Sequence, residues 1–201
     1  ALNDVQGGNA NAGTTLDVVA GNDIDGPDVT AVERVTLHAQ TGSILNTNAT
    51  STAADVDLDA GTDIVATDAN AETFVDGVAG NSIIGGSFTA NAENVTLLAE
   101  TGDIDGSQVN AATFADLQAQ MDIDGAVVDA GTLATLFAAE GSLLNTTATS
   151  VTDMVFLEAG ADIVNTDANA ELLVSGFAGG SIVGGSFVAN TDSVLLFAEG
   201  E

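Results

Sequence analysis

The chain has 201 residues and a formal net charge of −29, from 30 acidic residues against a single Lys or Arg, Arg34. That balance excludes nucleic acid as a partner, because gripping phosphates needs clustered Lys and Arg, and it argues equally against docking on anionic lipid. Hydrophobic residues nevertheless make up 45% of the chain, with a mean hydropathy of +0.31, so a buried core is expected rather than disorder.

In chain order, an apolar residue preceded by Asp or Ser recurs at Val5, Ile24, Ile44, Ile64, Ile83, Ile104, Ile123, Leu143, Ile163 and Ile182. Successive members are 19 to 21 residues apart. Helical solenoids need roughly 33 residues or more per unit, so the period points to β-coils. Two residues after each marker stands Gly or Asn in nearly every unit: Gly7, Gly26, Asn46, Gly85, Gly106, Gly125, Asn145, Asn165 and Gly184. These residues tolerate the positive φ of a sharp corner.

Past the corner the pattern alternates with period two, as a strand with one buried face requires. Ala10, Val29, Ala49, Ala69, Phe88, Val109, Val128, Ala148, Ala168 and Phe187 fall at the first inward position, and small residues such as Ala31, Ala71 and Ala130 at the second. The residue between them is polar in most units, as at Thr30, Asn70 and Asp129. A further strand follows, as in 35–37, 56–58, 95–97, 155–157 and 194–196.

Strand, corner, strand, turn and strand at near-constant length read as an all-β, parallel β-helix (β-solenoid) of about ten coils of ~20 residues, running as one continuous unit over 1–201. Only 4% of residues are aromatic, with no Trp or Tyr, which suits a narrow interior. At ~4.8 Å per coil the stack should be roughly 48 Å long.

A longer repeat overlies the coils. Ile24, Ile44, Ile64 and Ile83 map onto Ile123, Leu143, Ile163 and Ile182 by a constant shift of 99, so the chain holds two higher units, about 5–103 and 104–201. The first and last coils read like interior ones, whereas solenoid ends usually carry caps. Self-association is therefore expected, end to end, unless the chain is an excerpt of a longer array. Met154, Phe156 and Leu195 put apolar residues at outward positions, which suggests lateral contact as well.

Several functional residues can be weighed. Asp23 and Asp25, Asp103 and Asp105, and Asp122 and Asp124 flank their markers in pairs, and residues i and i+2 of a strand share a face. The last two pairs belong to adjacent coils. A hard cation with oxygen ligands, Ca²⁺ by preference, would relieve their repulsion. The competing reading is a solvated acidic face whose repulsion is tolerated, and it is favoured because the spacing matches no recognised calcium loop. Asp55, Asp57 and Asp59 form a second acidic stripe.

Catalysis is not expected. His38 is the only histidine, and no Cys or Lys accompanies it. Coils this uniform also leave no long loop for a paired-carboxylate cleft. Without cysteine there are no disulfides. No apolar run approaches the ~18 residues of a membrane helix, so no membrane insertion is expected. The chain opens at Ala1 with no basic and apolar leader, and it reads as a mature or excised segment.

Stretches such as Gly21 to Ala39 and Gly102 to Ala119, each one residue away from the form GDI-x-G-x-x-V-x-A…V-x-L-x-A, resemble the repeats of giant bacterial surface proteins and filamentous-haemagglutinin-type adhesins. The resemblance implies a right-handed coil, in keeping with the general preference for right-handed crossovers. It also implies an extracellular or cell-surface location and a role as fibre, sheath or adhesin stalk. A ligand-binding adhesin module, or an ice-binding face built on ladders such as Asn48–Thr50 and Thr147–Thr149, is the alternative. The near absence of basic residues sets the chain apart from adhesins that attach to acidic glycans.

Overall fold

The computed structural model describes residues 3–200 and contains strands but no helix. Each turn of the chain contributes one strand to each of three ten-stranded sheets, and all neighbouring strands run parallel. The first sheet is built from two-residue strands such as Ile24–Asp25 and Ile104–Asp105. The second has four-residue strands such as Asp28–Ala31, and the third has strands of five or six residues such as Arg34–Ala39. We number the coils 1 to 10 by their marker residues, Val5 to Ile182.

The sequence periodicity is the register. Ile24 lies opposite Ile44, Ile44 opposite Ile64, Ile64 opposite Ile83 and Ile83 opposite Ile104. A parallel stack in strict register puts like beside like, so each inward position becomes a column running along the axis. The markers from Ile24 to Ile163 form one such column and are fully buried. Val35, Leu37 and Ala39 show how the long strands alternate, their inward residues buried and Thr36 and His38 facing out. Each coil alone would leave its apolar face in water, so stacking supplies the stability.

Every described coil turns its first corner through a residue with positive φ two places after the marker. Nine are the Gly and Asn residues expected from sequence. The tenth is Ala66, with φ 48°, which carries a Cβ in the left-handed region and is strained relative to its neighbours. The next residue points into the bend. Thr47, Thr67, Ser107, Thr146 and Thr166 are buried there, and their hydroxyls find partners locally. Thr47 Oγ1 donates to the Leu45 carbonyl at 2.9 Å, and the Thr146 and Thr166 hydroxyls meet at 3.1 Å. Buried hydroxyls without such partners would be destabilising.

Phe88 is the largest of the fully buried side chains, standing in a column filled by Ala and Val apart from Phe187. Room for it comes from the coil beneath. Leu occupies the middle inward position of the third sheet in most coils, but coil 4 has Gly77 there. A Cβ on Gly77 would lie 2.9 Å from Leu97 Cδ2 and 4.0 Å from Phe88 Cε1. The 99-residue repeat places Gly176, Phe187 and Leu196 at the same positions, and a Cβ on Gly176 would again lie 2.9 Å from the leucine, Leu196 Cδ2.

Candidate functional site

The paired aspartates occupy two different environments. Asp23, Asp103 and Asp122, each just ahead of a marker, accept hydrogen bonds from the backbone of the next coil. Asp23 Oδ1 receives the Ser43 N–H at 2.8 Å, Asp103 Oδ1 that of Asp122 at 2.9 Å, and Asp122 Oδ1 that of Ser142 at 2.7 Å. Where the sequence has Ser, its hydroxyl does the same, as Ser82 Oγ does for the Asp103 N–H at 3.1 Å. Asp63 and Asp162 extend the series through the Ser82 and Ser181 amides. The turn amides that face no strand partner are thereby satisfied by a side-chain ladder climbing the stack.

The second member of each pair lies further out. Asp25 and Asp124 accept amide N–H groups of Asn46 and Asn145 at 3.0 and 2.9 Å. Asp105 lies opposite Asp124 in register. The structure therefore brings the Asp103–Asp105 and Asp122–Asp124 pairs together in adjacent coils and leaves Asp23–Asp25 four coils from the first of them. Among the described residues, no group of three or more His, Cys, Asp or Glu side chains converges so as to hold a metal ion.

The acidic stripe Asp55–Asp57–Asp59 lies one coil above the chain's basic side chains. Arg34 donates to Asp55 at 2.8 Å, its Nε stands 3.5 Å from Asp57, and His38 Nδ1 is 2.8 Å from Asp59 Oδ2. Burial alone would raise the Asp55 pKa, but hydrogen bonds from Thr73 and Arg34 and the charge of Arg34 outweigh it and hold the carboxyl below its ordinary value. Asp57 goes the other way: burial and the neighbouring Asp76 and Asp55 push it up against the pull of Arg34. The hydrogen bond to Asp55 and both carboxylates raise Arg34 further. This cluster was not read from the sequence as a unit, although the 21-residue offset from Arg34 to Asp55 and from His38 to Asp59 contains it.

The outward face of the third sheet changes character along the axis. Near its start it presents Asp17, Thr36, His38, Asp57 and Asp59. From coil 7 onward, one outward column reads Phe137, Glu158, Phe177, Phe197 and the other Thr135, Phe156, Ser175, Leu195. Phe156 does point outward, between buried Val155 and Leu157. The Phe177 and Phe197 rings stack at 5.5 Å. A shallow cavity of about 350 Å³ runs over this face, lined by Asp116, Phe137, Phe156, Glu158 and Phe177 among others.

The chain is a β-solenoid. No protein-family model matches it, and neither does any curated protein or any solved structure. The likeness to giant surface adhesins therefore rests on the coil motif alone, and the function has to be argued from the solenoid's own surfaces.

Proposed function

We propose that this solenoid is a structural element, a stretch of an extracellular fibre, sheath or adhesin stalk whose work is done by length, stiffness and charge. One observation carries the reading. By the 99-residue repeat, coil 10 corresponds to coil 5, and the coil that follows coil 5 is coil 6, which corresponds to coil 1. The 5–6 interface pairs Val95 with Ala115, Leu97 with Leu117 and Ala99 with Ala119. Transposed by one long repeat, the same contacts join Val194 to Leu16, Leu196 to Val18 and Ala198 to Ala20. Leu196 and Val194, inward-facing residues with no coil above them, are 44% and 40% exposed. A coil of the coil 1 type, from the same polypeptide or from a second copy, would cover them in a register the chain already uses internally.

Uniformity supports the same conclusion. All ten turns keep every strand, and no insertion interrupts the sheets. Part of the outward surface ties one coil to the next, through the Asp and Ser ladder and through contacts such as Asn48 to Asp28 at 2.6 Å. No chemical step is assigned to this surface. The location outside the cell follows from the motif's resemblance to surface proteins.

Sedimentation and electron cryomicroscopy of the purified chain test the proposal. End-to-end growth into thin filaments with a ~4.8 Å axial repeat is expected, and Leu196→Lys should abolish it by placing a charge in the junction. Filaments indifferent to Leu196→Lys, or joined side by side, would contradict it. A ligand-binding role is the second reading, and the aromatic face of coils 7 to 10 favours it.

A further inference from the structure

We propose that the trough over coils 6 to 9 of the third sheet is a docking site for an arginine-bearing, extended segment of a partner protein. The inference is independent of the stacking of coil ends. It begins from the register: Phe137, Glu158 and Phe177 stand on successive rungs of one outward column, with Phe156 beside Glu158 on the same strand. A carboxylate is thus flanked above and below by aromatic rings, which lie about two coil spacings, ~10 Å, apart. Phe156 closes one side. Aromatic faces attract cations through their quadrupole, and a guanidinium can stack on a ring while its edge pairs with a carboxylate.

Three further observations point to a cation. Glu158 is exposed and has no cationic partner, since Arg34, the chain's one Lys or Arg, is committed to Asp55 and Asp57. At the coil 6 end of the trough, Asp116 Oδ1 is buried without a hydrogen-bond partner, alone in this among the described residues, while its other oxygen accepts from Gln118 at 2.8 Å. An uncompensated carboxylate oxygen under an aromatic trough gives the site a negative floor. Lastly, the protein carries a formal charge of −29, so its field draws basic segments toward the whole surface, and the rings select among them.

Charge also decides against a second copy as the occupant. Two such faces brought together would bury Asp116 and Glu158 against their own counterparts without a cation between them. An open trough crossing four coils suits an extended chain better than a small enclosed molecule. Glu158 and Asp116 are ~10 Å apart along the axis, the reach of about three extended residues.

The probe is an octapeptide of arginine, set against the lysine octapeptide of equal charge, titrated calorimetrically at about 0.5 M salt to suppress bulk attraction. The arginine peptide should bind more tightly. Phe156→Ala and Phe177→Ala, at outward positions that leave the core intact, should each weaken it roughly tenfold, and Glu158→Gln should weaken it too. Val19→Ser, an exposed apolar position on the same sheet far from the trough, should change nothing. Circular dichroism confirms that each variant keeps its strands. Equal affinity for both peptides, or arginine binding untouched by Phe156→Ala, would overturn the proposal. So would a concentration-dependent lateral dimer of the wild type that Phe156→Ala dissolves, because the face would then belong to a second copy.

Discussion

Phe88 packs over Gly77: the coil that carries the largest buried ring sits directly on the coil that has given up its leucine. Neither residue makes sense in its own column, where Ala or Val and Leu respectively are usual. Together they conserve volume across two adjacent coils.

Phe88→Ala should therefore cost ~3–5 kcal/mol, as large-to-small changes at buried aromatic sites do. Gly77→Leu alone should destabilise by overpacking against Leu97 and Phe88. The double variant should recover a substantial part of the summed loss, because each change relieves the other. Urea denaturation of the four proteins reads the coupling, and strict additivity would show that the two sites do not share space.

Ala66 offers a gain. Its φ of 48° is the one left-handed corner without Gly or Asn. Ala66→Gly should raise stability by about 1 kcal/mol, by removing the Cβ strain that outweighs glycine's extra freedom in the unfolded chain. The same substitution at a strand position such as Ala69 should be unfavourable. The thermal midpoints of the two variants should move in opposite directions.

The ladder of Asp and Ser implies a specific pattern of tolerance. Asp122→Ala leaves the Ser142 amide without its 2.7 Å acceptor and should cost ~1–2 kcal/mol. Asp122→Ser should cost much less, because Ser already fills this rung at 43, 82, 142 and 181. Melting in calcium against magnesium at matched ionic strength separates this role from ion binding. A ladder alone predicts equal midpoints in the two salts. A larger rise in calcium, lost in Asp122→Ser, would place Ca²⁺ at Asp103, Asp105, Asp122 and Asp124.

Acid should act on the Arg34 cluster with opposite signs at its two carboxylates. Asp55 has a lowered pKa, so its contribution is present above its ordinary value of 3.8 and is lost as pH falls through the still lower folded value. Asp57 has a raised pKa, so its contribution is present below 3.8 and is lost as pH rises through its folded value. Asp57→Asn should consequently favour the fold at neutral pH, whereas Asp55→Asn should weaken it there. Melting curves of both variants between pH 3 and 7, a window bracketing the ordinary carboxylate range, check the signs.

The coil was legible in the sequence because parallel stacking writes its register as a literal period. Ile44, Ile64 and Ile83 are the same position three times over, and the alternation around Thr30 or Asn70 marks the strand between them. The site was less legible. Asp23, Asp103 and Asp122 look like ligands when read along one strand, since the backbone amides they accept lie a coil away. Ala66 was missed because only its φ, and not its residue type, marks the corner. Phe156 read as outward-facing, but its neighbours Phe137 and Phe177 became a trough only once the register set Glu158 between them.

A tandem chain tests the central claim most directly. Joining a second copy, begun at Asp4, to Glu201 of the first places the second copy's Val5 21 positions after Ile182, the offset that separates Ile83 from Ile104. If coil 10 accepts a coil of the coil 1 type as coil 5 accepts coil 6, the product folds as one twenty-coil stack. Its single transition should then lie well above that of the parent chain, with Leu196 amide exchange slowed to core rates. Two units melting at the parent temperature, with Leu196 still open to exchange, would contradict the account.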